Sequence, residues 1–414
     1  MKNIIAHSES IRKEMLEAIS KSNIENLFSQ IPQKARTGSL NLPDSMNEME
    51  VQRKIKKIAK KNNEYISFLG AGVYNRFIPA GISQIAERFE FLTAYTPYQP
   101  EISQGTLQVM YEFQSYICKL TGMDICNASV YDVATACAEA LFMAVRISKK
   151  DKVLVSNKLN PEYKRVIETY MHSAEIELEY FENIPENCSD YACVMVQNPD
   201  FYGEIKDFKK PENCLFIMIT NPMALALLKT PAEYDVDIAV GDVQTLGIPM
   251  SFGGPYAGFI ATKDKYMRQL AGRLCGKTLD KDGNTAYTLT IQTREQHIKR
   301  EKATSNICSN QALVALCSTI YLALVGENGF YNMSLYATEK AHELAKKLEE
   351  KGYTVSNKNF FNEFVIETKN SEEYLNKLKS AGILGGLKLD ENKILISVTE
   401  MNSQEDIDLY LENV

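Results

Sequence analysis

Tyr191-Ala192-Cys193-Val194-Met195-Val196, Cys214-Leu215-Phe216-Ile217-Met218-Ile219 and Val236-Asp237-Ile238-Ala239-Val240 decide the fold class. Short runs of this kind, rich in Val and Ile and nearly free of charge, suit strands that are covered on both faces. Upstream, Val153-Leu154-Val155-Ser156 is of the same kind, and a helix-like stretch from Pro161 to His172 follows it. Downstream, Gly258-Phe259-Ile260-Ala261-Thr262 closes the series. Strands alternating with helices predict an α/β fold with a mostly parallel sheet of strand–helix–strand units.

Outward from this core the texture changes twice. Residues 1–60 read as a helical arm. Ile11, Met15, Leu16 and Ile19 recur at helix spacing, as do Met49, Ile55 and Ile58, with breaks at Ile31-Pro32-Gln33 and from Thr37 to Pro43. Such an arm either wraps a neighbour or stands as a solvated hairpin. Residues 61–325 hold the large sheet, and 326–414 read as a small C-terminal α/β domain. There a helix from Leu335 to Lys351 ends at Gly352. Strand-like stretches follow at Tyr353–Ser356 and Phe361–Thr368, with a helix capped by Ser371, a strand over Lys393–Val398 and a last helix capped by Ser403. That order predicts two helices on one face of a small antiparallel sheet.

With 414 residues the chain is too long for one core. Its 45 % apolar and 24 % charged residues are ordinary for a globular protein. The net charge of −7 comes with no basic stripe, which argues against a nucleic-acid partner. No long apolar run predicts a membrane span, and the start at Met1 has no signal-peptide core, so a cytoplasmic location is expected. Nine cysteines without a Cys-x-x-Cys pair read as reduced, mostly buried thiols. His7, His172, His297 and His342 lie far apart, so no metal site is expected.

One stretch stands out: Gly241-Asp242-Val243-Gln244-Thr245-Leu246-Gly247-Ile248-Pro249, then Ser251-Phe252-Gly253-Gly254-Pro255-Tyr256-Ala257-Gly258. Its glycines permit positive φ and close backbone approach. A tight strand connection and a site at the carboxyl ends of the strands both account for it, and the α/β context favours the site. The loop Leu92–Gly105, stiffened by two prolines, carries Tyr95 and Tyr98, which either pack or present hydroxyls to a ligand. Arg294, His297, Lys299, Arg300 and Lys302 form a basic cluster that reads as a solvated face or as an anion site.

Gly241–Gly258, the stretch from Thr96 to Gly105, the stretch from Thr293 to Cys308 and Phe68-Leu69-Gly70-Ala71-Gly72-Val73-Tyr74 together resemble the decarboxylating glycine dehydrogenase, or P-protein, family of the glycine cleavage system. The resemblance covers almost the whole chain. The length matches the split form, made of two homologous subunits, and this chain looks like the α, or first, of them. The resemblance implies an aspartate aminotransferase-like fold, that of type I pyridoxal-phosphate transferases. It also implies decarboxylation of glycine with transfer of the aminomethyl group to the lipoyl arm of H-protein, by an α2β2 assembly with a catalytic β subunit.

Pyridoxal-phosphate chemistry needs a lysine, an acid for the pyridine nitrogen and donors for the phosphate. Set against the family's pattern, Gln244 stands where the lysine belongs, and no lysine occurs from Thr230 to Thr262. No Asp or Glu occurs from Leu215 to Ala232, where the acid belongs, and the phosphate cup reads Ala134-Thr135-Ala136-Cys137-Ala138, with Asp132 close by. The expectation is therefore a subunit inactive alone, with the cofactor on the β partner and with Tyr95, Tyr98, Arg294 and His297 contributed to the partner's active site. Two alternatives are a structural or regulatory scaffold for the β subunit, and a stand-alone enzyme using Lys229 or Lys263.

Overall fold

The computed structural model describes residues 7–414 except Ser39, Ala94 and Cys308. Met1, Ser39 and Cys308, which entered the reading above, lie outside the described residues. The chain divides into two compact units, Met1–Asn63 and Glu64–Val414. The first unit holds two helices, α1 (Glu9–Ala18), capped by Ser8, and α2 (Glu48–Ala59), opened by a capping box of Asn47 and Glu50. Neither helix buries a residue, and Ile11, Met15, Met49, Ile55 and Ile58 are exposed.

The second unit begins with β1 (Ile66–Ser67), the short α3 (Gly81–Ala86) and α4 (Gln104–Thr121). Then come β2 (Ile125–Cys126), α5 (Val133–Ser148), β3 (Lys152–Ser156), α6 (Pro161–Ser173) and β4 (Glu177–Phe181). Four more strands complete the large sheet: β5 (Cys193–Asn198), β6 (Leu215–Thr220), β7 (Ile238–Asp242) and β8 (Gly258–Thr262). Their order is β2-β8-β7-β6-β5-β3-β4. β3 to β7 pair in parallel, and β8 is antiparallel to β7 and β2. Successive side chains of β6 serve opposite faces: Phe216 and Met218 enter one core, Ile217 and Ile219 the other. α5 packs on the second face through Ala136, Cys137, Ala140 and Ala144, small side chains that let it lie close to the sheet.

A hairpin of β9 (Cys275–Leu279) and β10 (Thr285–Leu289) leads to the single turn α7 (Gln296–Lys299) and to α8 (Ala312–Glu350). α8 corrects the expected helix start near Leu335. It begins 23 residues earlier, at Ala312, and is broken at Gly326, which takes φ 65° and ψ 178°. By length and composition alone it is apolar enough to cross a bilayer, a test that buried core helices also pass. Its first half packs Ala315, Leu316, Ile320 and Tyr321 into the core.

β11 (Thr354–Val355), β12 (Glu363–Glu367), α9 (Ser371–Ser380), β13 (Ile383–Leu384), β14 (Leu387–Lys388), β15 (Lys393–Ser397) and α10 (Gln404–Glu412) complete the chain. The small sheet, β11-β12-β15-β14, is antiparallel. Phe364, Ile366, Ile394 and Ile396 pack with Leu344 and Leu348 of α8, Leu378 of α9 and Tyr410 of α10, so three helices rather than two share this core. Val365 and Leu395, pointing the other way, meet Phe201. β1 pairs in parallel with β13, a contact across more than 300 residues that no local pattern announces. α9 also departs from expectation: Asn370, not Ser371, is the cap, its Oδ1 accepting from the N–H groups of Glu372 and Glu373. The eight described cysteines are unpaired, and five are buried.

Candidate functional site

At the carboxyl ends of β5, β6 and β7, where open α/β sheets place their ligands, a cavity of about 50 Å³ is lined by Gln197, Thr220, Asp242, Thr245, Tyr74 and Glu363, among others. Gln244 closes one side. Its Nε2 donates to the carbonyls of Tyr74 and Ile248, and its Oε1 accepts from the N–H of Tyr74, each at 2.9 Å. The side chain is buried, and both ends of the amide are engaged with backbone.

Carboxylates hold the start of α5. Asp132 caps the helix, accepting the Thr135 N–H at 2.7 Å, and Asp242 accepts the Val133 N–H at 3.2 Å as well as the Gln244 N–H at 2.8 Å. Negative charge at a helix N-terminus is favourable, yet burial at the cavity wall pushes the Asp242 carboxyl up to about 7. Across the cavity Glu363, the first residue of β12, accepts the Tyr74 hydroxyl and the Ala71 N–H, each at 2.6 Å. Burial raises the Glu363 carboxyl too. Gly70 is required here, because a Cβ on it would collide with Glu363 and Ser397.

The other candidate residues lie elsewhere. Tyr98 packs edge-on against Tyr95 at 6.5 Å and against His297 at 5.9 Å. Beneath it the buried Arg273 donates to the Tyr98 hydroxyl at 2.5 Å, lies 4.7 Å from the ring centroid, and pairs with Glu295. His297 Nδ1 stands 3.5 Å from the same Glu295 carboxylate. Tyr95, Tyr98 and His297 are exposed, and the Tyr98 hydroxyl is tied to the buried Arg273 beneath them. Arg294 does not join them. It is turned inward, donating to the Gly272 carbonyl at 2.8 Å, and burial lowers its guanidinium to about 10. Arg273 carries no sequence motif of its own; only the fold reveals it under the tyrosine loop.

A sequence profile described as glycine cleavage system P-protein matches residues 2–414. The chain belongs to that family. A probable glycine dehydrogenase (decarboxylating) subunit 1 of Geobacillus thermodenitrificans is 42% identical, with 98% of this chain and 97% of the relative covered. A crystal structure of glycine decarboxylase (P-protein) of the glycine cleavage system, in inhibitor-bound form, superposes with a TM-score of 0.92 at 38% identity, covering 100% of both chains. The glutamate decarboxylase of Lactobacillus brevis superposes with a TM-score of 0.66 at 12% identity, over 94% of this chain and 96% of that one. The last likeness shows the fold alone, that of the type I pyridoxal-phosphate enzymes.

Measured against that cofactor, this P-protein chain does not fit. The cavity is far below the roughly 300–1,000 Å³ of small-molecule sites. The side chain after β7 is an amide bonded into the backbone, not an amine. Two carboxylates take N–H groups at the start of α5 that a phosphate would need. β6 ends at Thr220, is followed by Asn221 and offers no acid, while the acids that line the cavity, Asp200, Asp242 and Glu363, come from other segments.

Proposed function

We propose that this chain is the cofactor-free α subunit of a split glycine decarboxylase, working in the cytoplasm. Paired in an α2β2 assembly with a homologous β subunit that carries pyridoxal phosphate, it supports decarboxylation of glycine and passage of the aminomethyl group to the lipoyl arm of H-protein. The observation that carries this reading is Gln244, whose amide fills the lysine position and is bonded at both ends. Tyr95, Tyr98 and His297 are the groups it offers to the partner's active site, and Arg294 braces the segment that bears His297. The divisions at 1–60, 61–325 and 326–414 are read as a clasp, a scaffold and a cap.

Co-expression with the β subunit, followed by a glycine–bicarbonate exchange assay with lipoylated H-protein, tests the function. Activity is expected only when both subunits are present. Borohydride reduction and mass spectrometry then locate the cofactor. A pyridoxyl group is expected on a β-subunit lysine, and one on Lys229, Lys263 or any other lysine of this chain would overturn the reading.

A further inference from the structure

A second cleft, of about 580 Å³, runs beside α5 and α6 and is independent of the reading above. Glu139 and Arg146 both line it. They are seven residues apart on α5, so they share a face and stand about 10 Å apart along the axis. They do not pair with each other. Glu139 accepts the Ser305 hydroxyl on Oε1 at 2.7 Å, and its buried Oε2 has no hydrogen-bonding partner among the described residues. Arg146 donates from Nη2 to the Gln269 carbonyl at 3.0 Å, and its buried Nε is likewise without a partner.

An acid and a base on one cleft wall, each burying one polar atom without a partner, gain from a ligand that a small side-chain shift lets each of them reach. Burial disfavours the charge on each group, raising the Glu139 carboxyl and lowering the Arg146 guanidinium. A ligand with the complementary charge at each end relieves both. Arg294, also buried with an unpartnered Nε and within electrostatic reach of Arg146, adds positive potential at the basic end. Phe142 and Tyr170, 6.1 Å apart, form an aromatic wall of the cleft.

We propose that this cleft binds a free α-amino acid as its zwitterion, the ammonium on Glu139 and the carboxylate on Arg146. Ammonium and carboxylate on one carbon, with a charge-assisted hydrogen bond of about 2.8 Å at each end, reach roughly 8–9 Å, so the two long side chains need lean together by only about 2 Å to share one amino acid. The volume leaves room for a side chain against the aromatic wall.

Titration calorimetry and saturation-transfer NMR on the full chain without its partner test this, using glycine and L-phenylalanine as probes. N-acetylglycine lacks the ammonium and glycine methyl ester lacks the carboxylate. Each is expected to bind about tenfold more weakly or worse than glycine, since each loses one charged contact. Glu139→Gln and Arg146→Met should weaken the free amino acids by a similar factor, with folding checked by circular dichroism. Failure of both amino acids to bind at about 10 mM, equal binding of the blocked compounds, or affinity unchanged in Glu139→Gln would overturn the proposal. The blocked compounds decide the question even where a variant does not fold.

Discussion

Gln244→Lys is expected to yield no borohydride-reducible adduct with pyridoxal phosphate, and to cost roughly 3 kcal/mol of stability in urea unfolding. The lysine strips Tyr74 of its acceptor and buries an ammonium among backbone groups. Tyr98→Phe removes the hydroxyl that Arg273 reaches, so exchange by the assembled pair should fall about 10- to 100-fold with complex formation unchanged. Equal rates would return that loop to packing. Asp242 has a pH signature. Its carboxyl is ordinary at 3.8 when unfolded and near 7 when folded, so in that window the folded chain holds the extra proton. Stability therefore falls as pH rises from about 4 to about 7 and levels off above, by at most about 4 kcal/mol from this group. Unfolding of wild type and Asp242→Asn across the window should show a flatter profile in the variant. The spacing to Ile248-Pro249 singles out Gln244 in the sequence, and its bonds to the Tyr74 and Ile248 backbone are what the fold adds. The part Asp242 plays was not legible there, because it depends on β7 ending beside the start of α5, a contact 109 residues apart.

Helices and strands were legible to the degree that their signals are local. The apolar runs at Leu215–Ile219 and Ile238–Val240 announced buried strands because both faces of the sheet are covered. The start of α9 was misplaced by one residue, since Asn370 and Ser371 are both good caps by type and only geometry separates them. That difference is measurable. Asn370→Ala should cost about 1 kcal/mol, while Ser371→Ala should be neutral or stabilising, because the Ser371 hydroxyl is buried without a partner among the described residues. A larger loss for Ser371→Ala than for Asn370→Ala, by urea unfolding, would restore the serine as the cap. The expected helix from Leu335 captures only the later part of α8, because Gly326 kinks the element and its first part packs into the large core.

Across the whole molecule, the first unit presents exposed Ile, Leu and Met side chains on helices that bury none of their own residues. Removing residues 1–63 should leave the melting temperature of the remaining unit within about 2 °C of the full chain, because the helices of the first unit bury none of their own residues. The same deletion should weaken association with the β subunit at least tenfold by size-exclusion dilution, and undiminished association would place the interface elsewhere. Long-range pairing of the β1–β13 kind is what sequence pattern cannot supply, since it records which distant segments meet rather than what either prefers alone. The carboxylates at the start of α5 bear on how readily this cavity could become a cofactor site. Asp132 and Asp242 support the helix, Gln244 fastens the loop after β7, and each is useful as it stands. Introducing a lysine alone gains no chemistry and loses a fastening; clearing the carboxylates alone loosens a helix for no ligand. Every first step toward a cofactor site is a loss, so the arrangement works as a ratchet that single substitutions do not reverse.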